Sequence, residues 1–429
     1  MNKIFNIAVV GLGQIGSYLL NELNTKKKDI LNKTGKKINI VAISAKNKNK
    51  KRSFKINKKI FYSNPLEIIK KKKIDILFEA IGSSDGISKK IVEMALKNKI
   101  HVITPNKALI SKHGDFLSKL AEKNKVNLEF EASVGGGIPI LRTIKEGLAT
   151  NKISKVYGIL NGTSNYLLSE MEATKNSFTN VLKKAQMLGY AEPGNPKLDL
   201  NGYDALAKVK ILSSLSFNNK ISRSKYLMEG IENIEYKDIE IVDQLNYRIK
   251  LLGITEIINQ CLFERVHPCL VKKNTYIGNV NGVMNAVILE GKPVGESVLQ
   301  GEGAGPGPTS SALMSDLLSI LRGNIKYPFG ISDKKRKKVK VYNINNYSNA
   351  LYLRLEVKDK PGVLSSITKQ LAKYNISVKR LIQIPDHKKK TASIAIITHE
   401  ANELNSKKCL KSFKVNKNVI KPPVLIRLF

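Results

Sequence analysis

The residues of this chain that could carry chemistry are concentrated between Gly189 and Leu215. The positions after Asn201-Gly202 hold neither proline nor glycine and predict a helix. On a helical wheel, Asp204 and Lys208 fall on the apolar side, with Ala205, Ile211, Leu212 and Leu215. The opposite side, which we expect to face solvent, carries Lys210, Ser213 and Ser214.

The i,i+4 spacing of Asp204 and Lys208 allows their side chains to meet. Spacing alone is typical of a surface ion pair. A charge on an apolar face, however, is costly unless it is paired or used. We therefore predict a half-buried Asp–Lys pair. Tyr190, Glu192 and Asp199 add polar groups in the preceding Gly/Pro-rich loop, which indicates a pocket for a small charged substrate.

A glycine-rich stretch near the N-terminus predicts the elements that would position a cofactor. Residues 4–10 read as a buried strand, Ser17 begins a helical stretch, and between them stand Gly11, Leu12, Gly13, Gln14, Ile15 and Gly16. In this strand–turn–helix context the pattern is typical of a dinucleotide site. The first glycine turns tightly, the second admits a pyrophosphate, and the third allows close helix packing.

The next predicted strand, 38–44, carries the signal for the type of dinucleotide. An NAD site usually has an acidic residue at the end of this strand. Here the strand is followed by cations instead, namely Lys46, Lys48, Lys50, Lys51 and Arg52. We therefore expect NADP(H) to be favoured over NAD(H).

Further predicted strands at 74–81, 100–104 and 128–134 complete a doubly wound α/β domain, 1–138. Ligands bind at strand ends in such sheets, which makes Gly82, Ser83 and Lys107 candidates for contact with the cofactor. A surface lysine is the alternative for Lys107. Three consecutive glycines after residue 134 indicate backbone pressed against a ligand, an ion or another backbone.

After Pro139 the pattern changes to an α+β substrate domain with a mixed sheet, 139–300. Its predicted strands lie at 153–160 and near 225–234, 250–271 and 281–290. A second glycine-rich loop, which includes Gly303 as a further candidate for contact with the cofactor, leads into a helix over 309–321. We expect this helix to return to the nucleotide domain, as part of 301–323. Residues 324–349 read as a solvated basic linker. From 350 to 429 the order β-α-β-β-α-β predicts a ferredoxin-like module.

Composition narrows the class of protein. With 42% hydrophobic and 25% charged residues, the 429-residue chain is globular and long enough for two or three domains. The net charge of +38 comes mainly from lysines spread along the chain, so we predict no nucleic-acid partner. The absence of a long apolar run or export signal, and three cysteines without metal spacing, predict a cytoplasmic protein without membrane contact.

Together these motifs resemble homoserine dehydrogenase over essentially the whole chain. The matching stretches are GLGQIG at 11–16, TPNKAL at 104–109, EASVGGGIPI at 131–140, LNGTSNY at 160–166, GYAE at 189–192, DLNGYDALAK at 199–208 and GAGPGPTSSA at 303–312. The C-terminal module, with DKPGVL at 359–364, resembles an ACT domain. The resemblance is to the monofunctional form rather than the aspartokinase fusion.

The resemblance implies reversible NAD(P)H-dependent reduction of L-aspartate 4-semialdehyde to L-homoserine, a step toward threonine, methionine and isoleucine. It implies Lys208 as general acid/base and Lys107 at the cofactor–substrate junction. The implied substrate ligands are Glu192, Asp204, Asp199, Tyr190 and Thr163. It also implies a monovalent cation, usually sodium, held by backbone groups of Glu131, Val134, Gly136 and Ile138.

An ACT module further implies feedback inhibition by L-threonine and a homodimer or homotetramer. One departure from the family pattern is an extra residue between Glu192 and Asp199, with Asn195-Pro196 in place of Asp-Pro. This remodelled 193–198 loop leaves two alternatives open. One is an NADP-dependent dehydrogenase of another small amino or hydroxy acid. The other is an NADP-binding amino-acid sensor without turnover.

Overall fold

The computed structural model describes residues 3–48, 57–194, 196–223, 226–386 and 388–429. Its N-terminal part is a six-stranded parallel sheet of order β3-β2-β1-β4-β5-β6. The strands are β1 (Ile4–Val10), β2 (Lys37–Ser44), β3 (Phe61–Tyr62), β4 (Ile76–Glu79), β5 (His101–Ile103) and β6 (Leu128–Glu129). The helices are α1 (Gln14–Thr25), α2 (Lys27–Thr34), α3 (Leu66–Lys71), α4 (Ile87–Lys97) and α5 (Lys107–Asn124).

The middle of the chain adds helices and a second sheet. The helices are α6 (Ile140–Arg142), α7 (Gly162–Thr174), α8 (Phe178–Met187), α9 (Lys197–Leu200), α10 (Tyr203–Ser216), α11 (Tyr236–Gln244) and α12 (Pro306–Leu321). The strands are β7 (Lys152–Ile159), β8 (Leu227–Met228), β9 (Tyr247–Ile258), β10 (Cys261–Lys272), β11 (Met284–Lys292) and β12 (Gly295–Glu302). Strands β12, β11, β7, β9 and β10 are antiparallel neighbours in that order.

Alternation along β1 explains why helices cover both faces of the first sheet. Ile7 and Val9 point into a core that includes Leu19 of α1 and Leu317 of α12. Ala8 and Val10 point the other way, into the core with α4 and α5. A strand buried on both faces reads as a continuous apolar run, as this one does. Helix α12 thus packs against α1 although the second sheet separates them in sequence.

The C-terminal part has the predicted β-α-β-β-α-β order. Its elements are β13 (Ser348–Asn349), β14 (Leu351–Lys358), α13 (Val363–Lys373), β15 (Val378–Asp386), β16 (Thr391–Thr398), β17 (Ala401–Asn402), α14 (Glu403–Lys414) and β18 (Val424–Leu428). The strands run in the order β18-β14-β16-β15, and β18 also pairs in parallel with β10. The ferredoxin-like sheet therefore continues the substrate sheet.

The fold class predicted from the sequence is confirmed, but several segments differ from the prediction. The stretch 128–134 is a strand only at β6, because Glu131–Ser133 forms a 3-10 turn. The strand expected over 225–234 is limited to β8. The basic segment 324–349, expected in solvent, includes Arg336, whose buried guanidinium binds Asp115 at 2.7 Å. Neutralisation by acids allows this cation to pack inside.

Arg427 of β18 joins the C-terminal sheet to the substrate sheet. Its guanidinium bonds Glu229, which follows β8, at 2.7 and 3.0 Å. It bonds Glu403 of α14 at 2.7 and 3.1 Å. Arg427 and Glu403 are both buried. Bidentate pairs of this kind are strong and directional, so they fix how the two parts of the sheet meet.

We expect Arg427→Met to destabilise this junction. The substitution removes the bidentate partner of the buried Glu403 carboxylate and leaves it with Lys407 at 3.5 Å, which should lower the free energy of unfolding by roughly 3 kcal/mol or more. Denaturant unfolding and hydrogen exchange of the β10 and β18 amides would measure it. Arg380→Met, at an exposed position of β15, is the matched control. If the two substitutions lowered the free energy of unfolding equally, Arg427 would not stabilise this junction.

Candidate active site

The glycine-rich turn after β1 has the geometry that the sequence predicted. Gly11 has φ +96°, and a Cβ there would lie 2.4 Å from the Ala80 carbonyl oxygen. A Cβ on Gly16 would lie 1.9 Å from the Gly11 carbonyl oxygen, so α1 approaches the turn closely only because this residue is glycine. Gly13, which precedes α1, faces open space instead. The backbone at Gly13 is thus accessible to a ligand at the helix N-terminus.

Beside this turn lies a cavity of about 570 Å³. Its lining includes Leu12 and Gly13 from the turn, Ala80 and Ile81 from the end of β4, and Lys46 after β2. This is where the adenosine end of a dinucleotide binds in doubly wound sheets. Lys46 is exposed. The cations Lys50, Lys51 and Arg52, on which the NADP(H) prediction also rests, lie outside the described residues.

A second cavity, also about 570 Å³, opens between the two sheets. From the nucleotide side it is lined by Ile15 and by Lys107, the first residue of α5. Asn106 caps α5 by accepting a hydrogen bond from the Leu109 N–H at 3.0 Å. The cap fixes the direction of the helix and hence the origin of the Lys107 side chain.

Glu79 holds this cap in place, and sequence reasoning missed it. Its buried carboxylate accepts hydrogen bonds from Thr104 at 2.6 Å and Ser88 at 2.5 Å. Asn106 in turn donates to the Ser83 carbonyl oxygen at 2.8 Å, which ties the predicted Gly82-Ser83 loop to α5. The signal in the sequence was a carboxylate at the end of an otherwise apolar strand.

Asp204 is the centre of charge in the second cavity. The Lys107 ammonium lies 2.8 Å from Asp204 Oδ1, and the Lys208 ammonium lies 2.8 Å from Oδ2. Burial opposes ionisation of Asp204, but these two cations outweigh it and hold its pKa well below the usual range. The same carboxylate raises the pKa of Lys107 against the effect of burial. The predicted Asp–Lys pair is therefore present, and a second lysine, Lys107 of α5, joins it from the nucleotide domain.

Lys208 is more deeply buried than Lys107, with side-chain exposures of 8% and 41%. Its amine also donates to the Leu160 carbonyl oxygen, at 2.5 Å, after the end of β7. Burial lowers the pKa of Lys208, Asp204 opposes that shift, and the positive charge of Lys107 adds to it. The balance favours a lower pKa, which brings this amine closer to neutrality at physiological pH.

Helix α10 carries Asp204 and Lys208 as predicted, but its other side is not in solvent. Ser213 and Ser214 are fully buried. The helix lies between α5 and strands β9 and β10, and Ser214 donates to the Asn219 carbonyl oxygen at 2.7 Å. A helix enclosed all round can bury small hydroxyls when they find local acceptors. The helical wheel therefore predicted the burial of the side with Asp204 and Lys208 correctly, and the exposure of the side with Ser213 and Ser214 incorrectly.

The other predicted substrate ligands surround this helix. Asn161 donates to Asp199 at 2.8 Å, and Thr163 donates to the Tyr190 carbonyl oxygen at 2.6 Å. Thr163, Tyr190 and Asp199 line the cavity. Glu192 is exposed on the loop beyond and contributes through its charge near Lys107. Asn195 in the remodelled loop lies outside the described residues.

The resemblance implies a cation at the segment from Glu131 to Ile138, where the carbonyl oxygens of Glu131 and Ile138 already accept hydrogen bonds from backbone N–H groups. The Glu131 carboxylate accepts from the N–H groups of Leu141 and Arg142, both at 2.8 Å, so its side chain is already used. Among the described hydrogen bonds, the carbonyl oxygens of Val134 and Gly136 have no donor. Backbone carbonyls of this kind suit a hard monovalent cation. No cluster of three or more His, Cys, Asp or Glu side chains suited to a metal occurs in the described chain.

Gly303 packs this segment against the second sheet. A Cβ on Gly303 would lie 2.1 Å from the side-chain amide of Asn285, and a Cβ on Gly136 would lie 2.6 Å from Gly303 itself. Asn285 is buried and its amide has no hydrogen-bond partner within the described structure. Gly136 is therefore required by the close approach of the Gly303 backbone, and Gly303 by the packing of the Asn285 side chain. Gly303 also lines the second cavity, as its predicted role requires.

A dinucleotide turn joined to a cavity with an aspartate between two lysines defines a nicotinamide-dependent dehydrogenase with an appended ferredoxin-like module. Family models agree. The NAD-binding domain of homoserine dehydrogenase matches residues 11–131, the homoserine dehydrogenase domain matches 139–318, and the ACT domain matches 351–414. None of the described helices is both long and apolar enough to cross a bilayer.

Curated relatives and solved structures give the same result over the whole length. The chain is 36% identical to the homoserine dehydrogenase of Neisseria gonorrhoeae, over 99% of each chain. It is 37% identical to that of Helicobacter pylori, over 100% of each. The crystal structure of a homoserine dehydrogenase from Thiobacillus denitrificans superposes with TM-score 0.91 at 34% identity, covering 100% of this chain and 98% of that one. The chain belongs to the homoserine dehydrogenase family, and it is an oxidoreductase with a C-terminal ACT domain.

We expect Gly13→Ala to weaken cofactor binding without destabilising the fold. A methyl group at Gly13 would meet none of the described residues within 4 Å, whereas it would occupy the space expected for the pyrophosphate. Affinity for NADPH should fall by roughly tenfold or more, since about 1.4 kcal/mol is tenfold. Fluorescence titration and thermal unfolding measure the two effects. Gly147→Ala, with equally open surroundings away from this turn, is the control. Unchanged NADPH affinity in Gly13→Ala would rule out a pyrophosphate there.

Proposed function

We propose that the second cavity is where L-aspartate 4-semialdehyde is reduced to L-homoserine, and that Lys208 exchanges the proton. The observation that carries this role is the placement of the Lys208 amine. It is buried at the base of the cavity, bonded to Asp204 at 2.8 Å and to the Leu160 carbonyl at 2.5 Å. Two acceptors leave the third N–H of the ammonium free to face a substrate oxygen.

The chemistry requires such a group because an aldehyde oxygen gains a proton when the carbonyl is reduced. The nicotinamide, when bound, supplies the hydride. In reduction the ammonium form of Lys208 donates the proton, and in oxidation of the alcohol the neutral amine accepts it. Burial lowers the pKa of Lys208, which favours the neutral amine relative to that of an exposed lysine. Asp204 orients the amine and keeps it from losing its charge entirely.

Substrate recognition follows from the charges around the cavity. The substrate ammonium needs carboxylates, which Asp199, Asp204 and Glu192 supply. Its carboxylate needs donors, which Lys107, Thr163 and the N–H groups at the start of α7 supply. Lys107 must then leave Asp204 for the substrate, and its 41% exposed side chain has room to move. Tyr190 closes the side of the cavity, with its ring 4.9 Å from that of Tyr166.

The finer cofactor assignments are also proposals. Exposed Lys46 at the adenosine end favours the 2′-phosphate of NADP(H) over NAD(H). The uncommitted carbonyls of Val134 and Gly136 support a sodium ion held with Glu131 and Ile138. The cation would fix the 131–138 backbone between the two sheets. Gly303 lines the second cavity, and Gly82 and Ser83 follow Ile81, which lines the first, so we include all three in the cofactor site.

Regulation is proposed through the ACT domain. The turn before α13 places Gly362 at φ +83° beside exposed Asp359 and Lys360, and it leaves the helix N-terminus open to a small ligand. We take L-threonine as that ligand, bound between ACT domains of a homodimer or homotetramer in the cytoplasm. Strand β18 pairs with β14 of the ACT domain and with β10 of the substrate domain. A conformational change in the ACT domain can therefore be transmitted to the substrate domain through this shared strand.

We expect Lys208→Met to abolish turnover while cofactor binding remains. Loss of a positioned acid/base group costs roughly 10² to 10⁴ in kcat. Lys210→Met is the matched control, because Lys210 lies two positions along the same helix and points at the Tyr226 ring. Steady-state kinetics and NADPH titration separate the effects. Turnover retained by Lys208→Met would exclude Lys208 as the proton-exchanging group.

The defining assay is NADPH and NADH oxidation with L-aspartate 4-semialdehyde, with and without L-threonine. We expect faster turnover with NADPH, because of Lys46, and inhibition by threonine, because of the ACT domain. Turnover without inhibition would remove threonine as the regulator and keep the enzyme. Absence of turnover in folded protein that binds NADPH would favour another small amino or hydroxy acid, or a sensor without turnover.

A further inference from the structure

Asn161 connects the two carboxylates that face the lysines. It follows β7 and is buried. Its side-chain Nδ2 donates one hydrogen bond to Asp199 Oδ1 at 2.8 Å and one to Asp204 Oδ2 at 3.1 Å. Asp204 Oδ2 is the same oxygen that binds the Lys208 amine. One amide therefore bridges α9, α10 and the loop after β7.

The orientation of this amide is fixed by the helix it caps. Asn161 Oδ1 accepts a hydrogen bond from the Ser164 N–H at 2.8 Å, at the start of α7. With the oxygen held there, Nδ2 can point only toward the carboxylates, so the assignment of oxygen and nitrogen is not arbitrary. All the hydrogen-bonding capacity of Nδ2 is then used by two acids. The backbone adds to this, since the carbonyl of the preceding residue, Leu160, binds Lys208.

This bridge affects how much negative charge Lys208 experiences. The charged groups that act on the Lys208 amine are Asp204 on its own helix, Lys107 on α5 and Asp199 on α9. Burial and the charge of Asp204 raise the pKa of Asp199, and the hydrogen bond from Asn161 opposes that rise. The same amide competes with Lys208 for Asp204 Oδ2. Without it, the two acids would repel each other and Asp204 would bind Lys208 more strongly.

We propose that Asn161 is a positioning residue for the reaction. Its amide holds Asp199 and Asp204 at a fixed separation and so fixes the position of the Asp204 carboxylate that faces the Lys208 amine. The inference rests on the proposed role of Lys208 in proton exchange. The alternative is that Asn161 serves only as the N-cap of α7. The two differ because an N-cap needs only the side-chain oxygen, whereas the bridge needs the amide nitrogen.

Asn161→Ser separates these roles. A serine hydroxyl caps a helix about as well as asparagine, but it cannot reach both carboxylates as a double donor. We expect kcat for homoserine oxidation with NADP⁺ to fall roughly 10- to 100-fold, because the amine is misplaced. That direction requires the neutral amine, so its rate rises with pH. The rising limb should move up by about half to one pH unit, the equivalent of one lost hydrogen bond.

The matched control is Asn402→Ser, which makes the same change at the N-cap of α14 in the ACT domain. Thermal unfolding of both variants measures the capping contribution. A second variant, Asn161→Asp, keeps a capping oxygen but adds a third carboxylate. It should move the rising limb further in the same direction, since the added charge favours the ammonium form of Lys208.

Two results would overturn the inference. One is wild-type kcat with an unshifted pH profile in Asn161→Ser. The other is a lower kcat in Asn161→Ser with an unshifted pH profile, together with an unshifted profile in Asn161→Asp. That combination would mean that Asn161 serves only as the N-cap of α7. Failure of the proposed function is recognised separately, because Lys208→Met would then retain turnover in an otherwise unchanged enzyme. Retained turnover in Lys208→Met would remove this inference as well.

Discussion

The active site depends on a buried carboxylate shared by two ammonium groups. Burial opposes the ionisation of Asp204, and the charges of Lys208 and Lys107 together outweigh that cost. Lys107 comes from the nucleotide sheet and Lys208 from the substrate side, so the same electrostatic requirement draws the two halves of the chain together. The carboxylate that binds the proton-exchanging amine of Lys208 therefore also holds the two parts of the chain together through Lys107.

The sequence was sufficient where the determining interactions are local. Gly11, Gly13 and Gly16 act within a single turn, and their spacing predicted the close approaches at Gly11 and Gly16 and the open backbone at Gly13. The pairing of Asp204 with Lys208 followed from helical periodicity and the cost of a charge on an apolar face. The partnership of Asp204 with Lys107 could not be derived from spacing, because Lys107 lies on α5 and Asp204 lies on α10, far apart in sequence. The family resemblance brought these residues together before the structure did.

The sequence was insufficient where burial is decided by distant partners. Arg336 stands in a run of basic residues typical of a solvated linker, yet its guanidinium stacks 3.9 Å from the Phe329 ring and binds the Ser214 hydroxyl at 2.6 Å. Ser213 and Ser214 were expected in solvent for the same reason. Arg336 binds partners in segments remote in sequence, whereas Ser214 donates to the nearby Asn219 carbonyl oxygen and is buried because other elements enclose α10. No pattern within a window of residues could show that.

The parallel pairing of β10 with β18 has a consequence for the order in which the chain can fold. Between these neighbouring strands lies all of residues 273–423 in sequence. Strand β8 pairs with this edge of β10 at Arg265 and Val266, but the part at Cys269 and Leu270 stays unpaired during synthesis until the ACT segment has followed. Contacts of such high sequence separation form late. An open strand edge is prone to pair with other chains. The interval in which β10 is exposed is accordingly when this protein is most liable to aggregate.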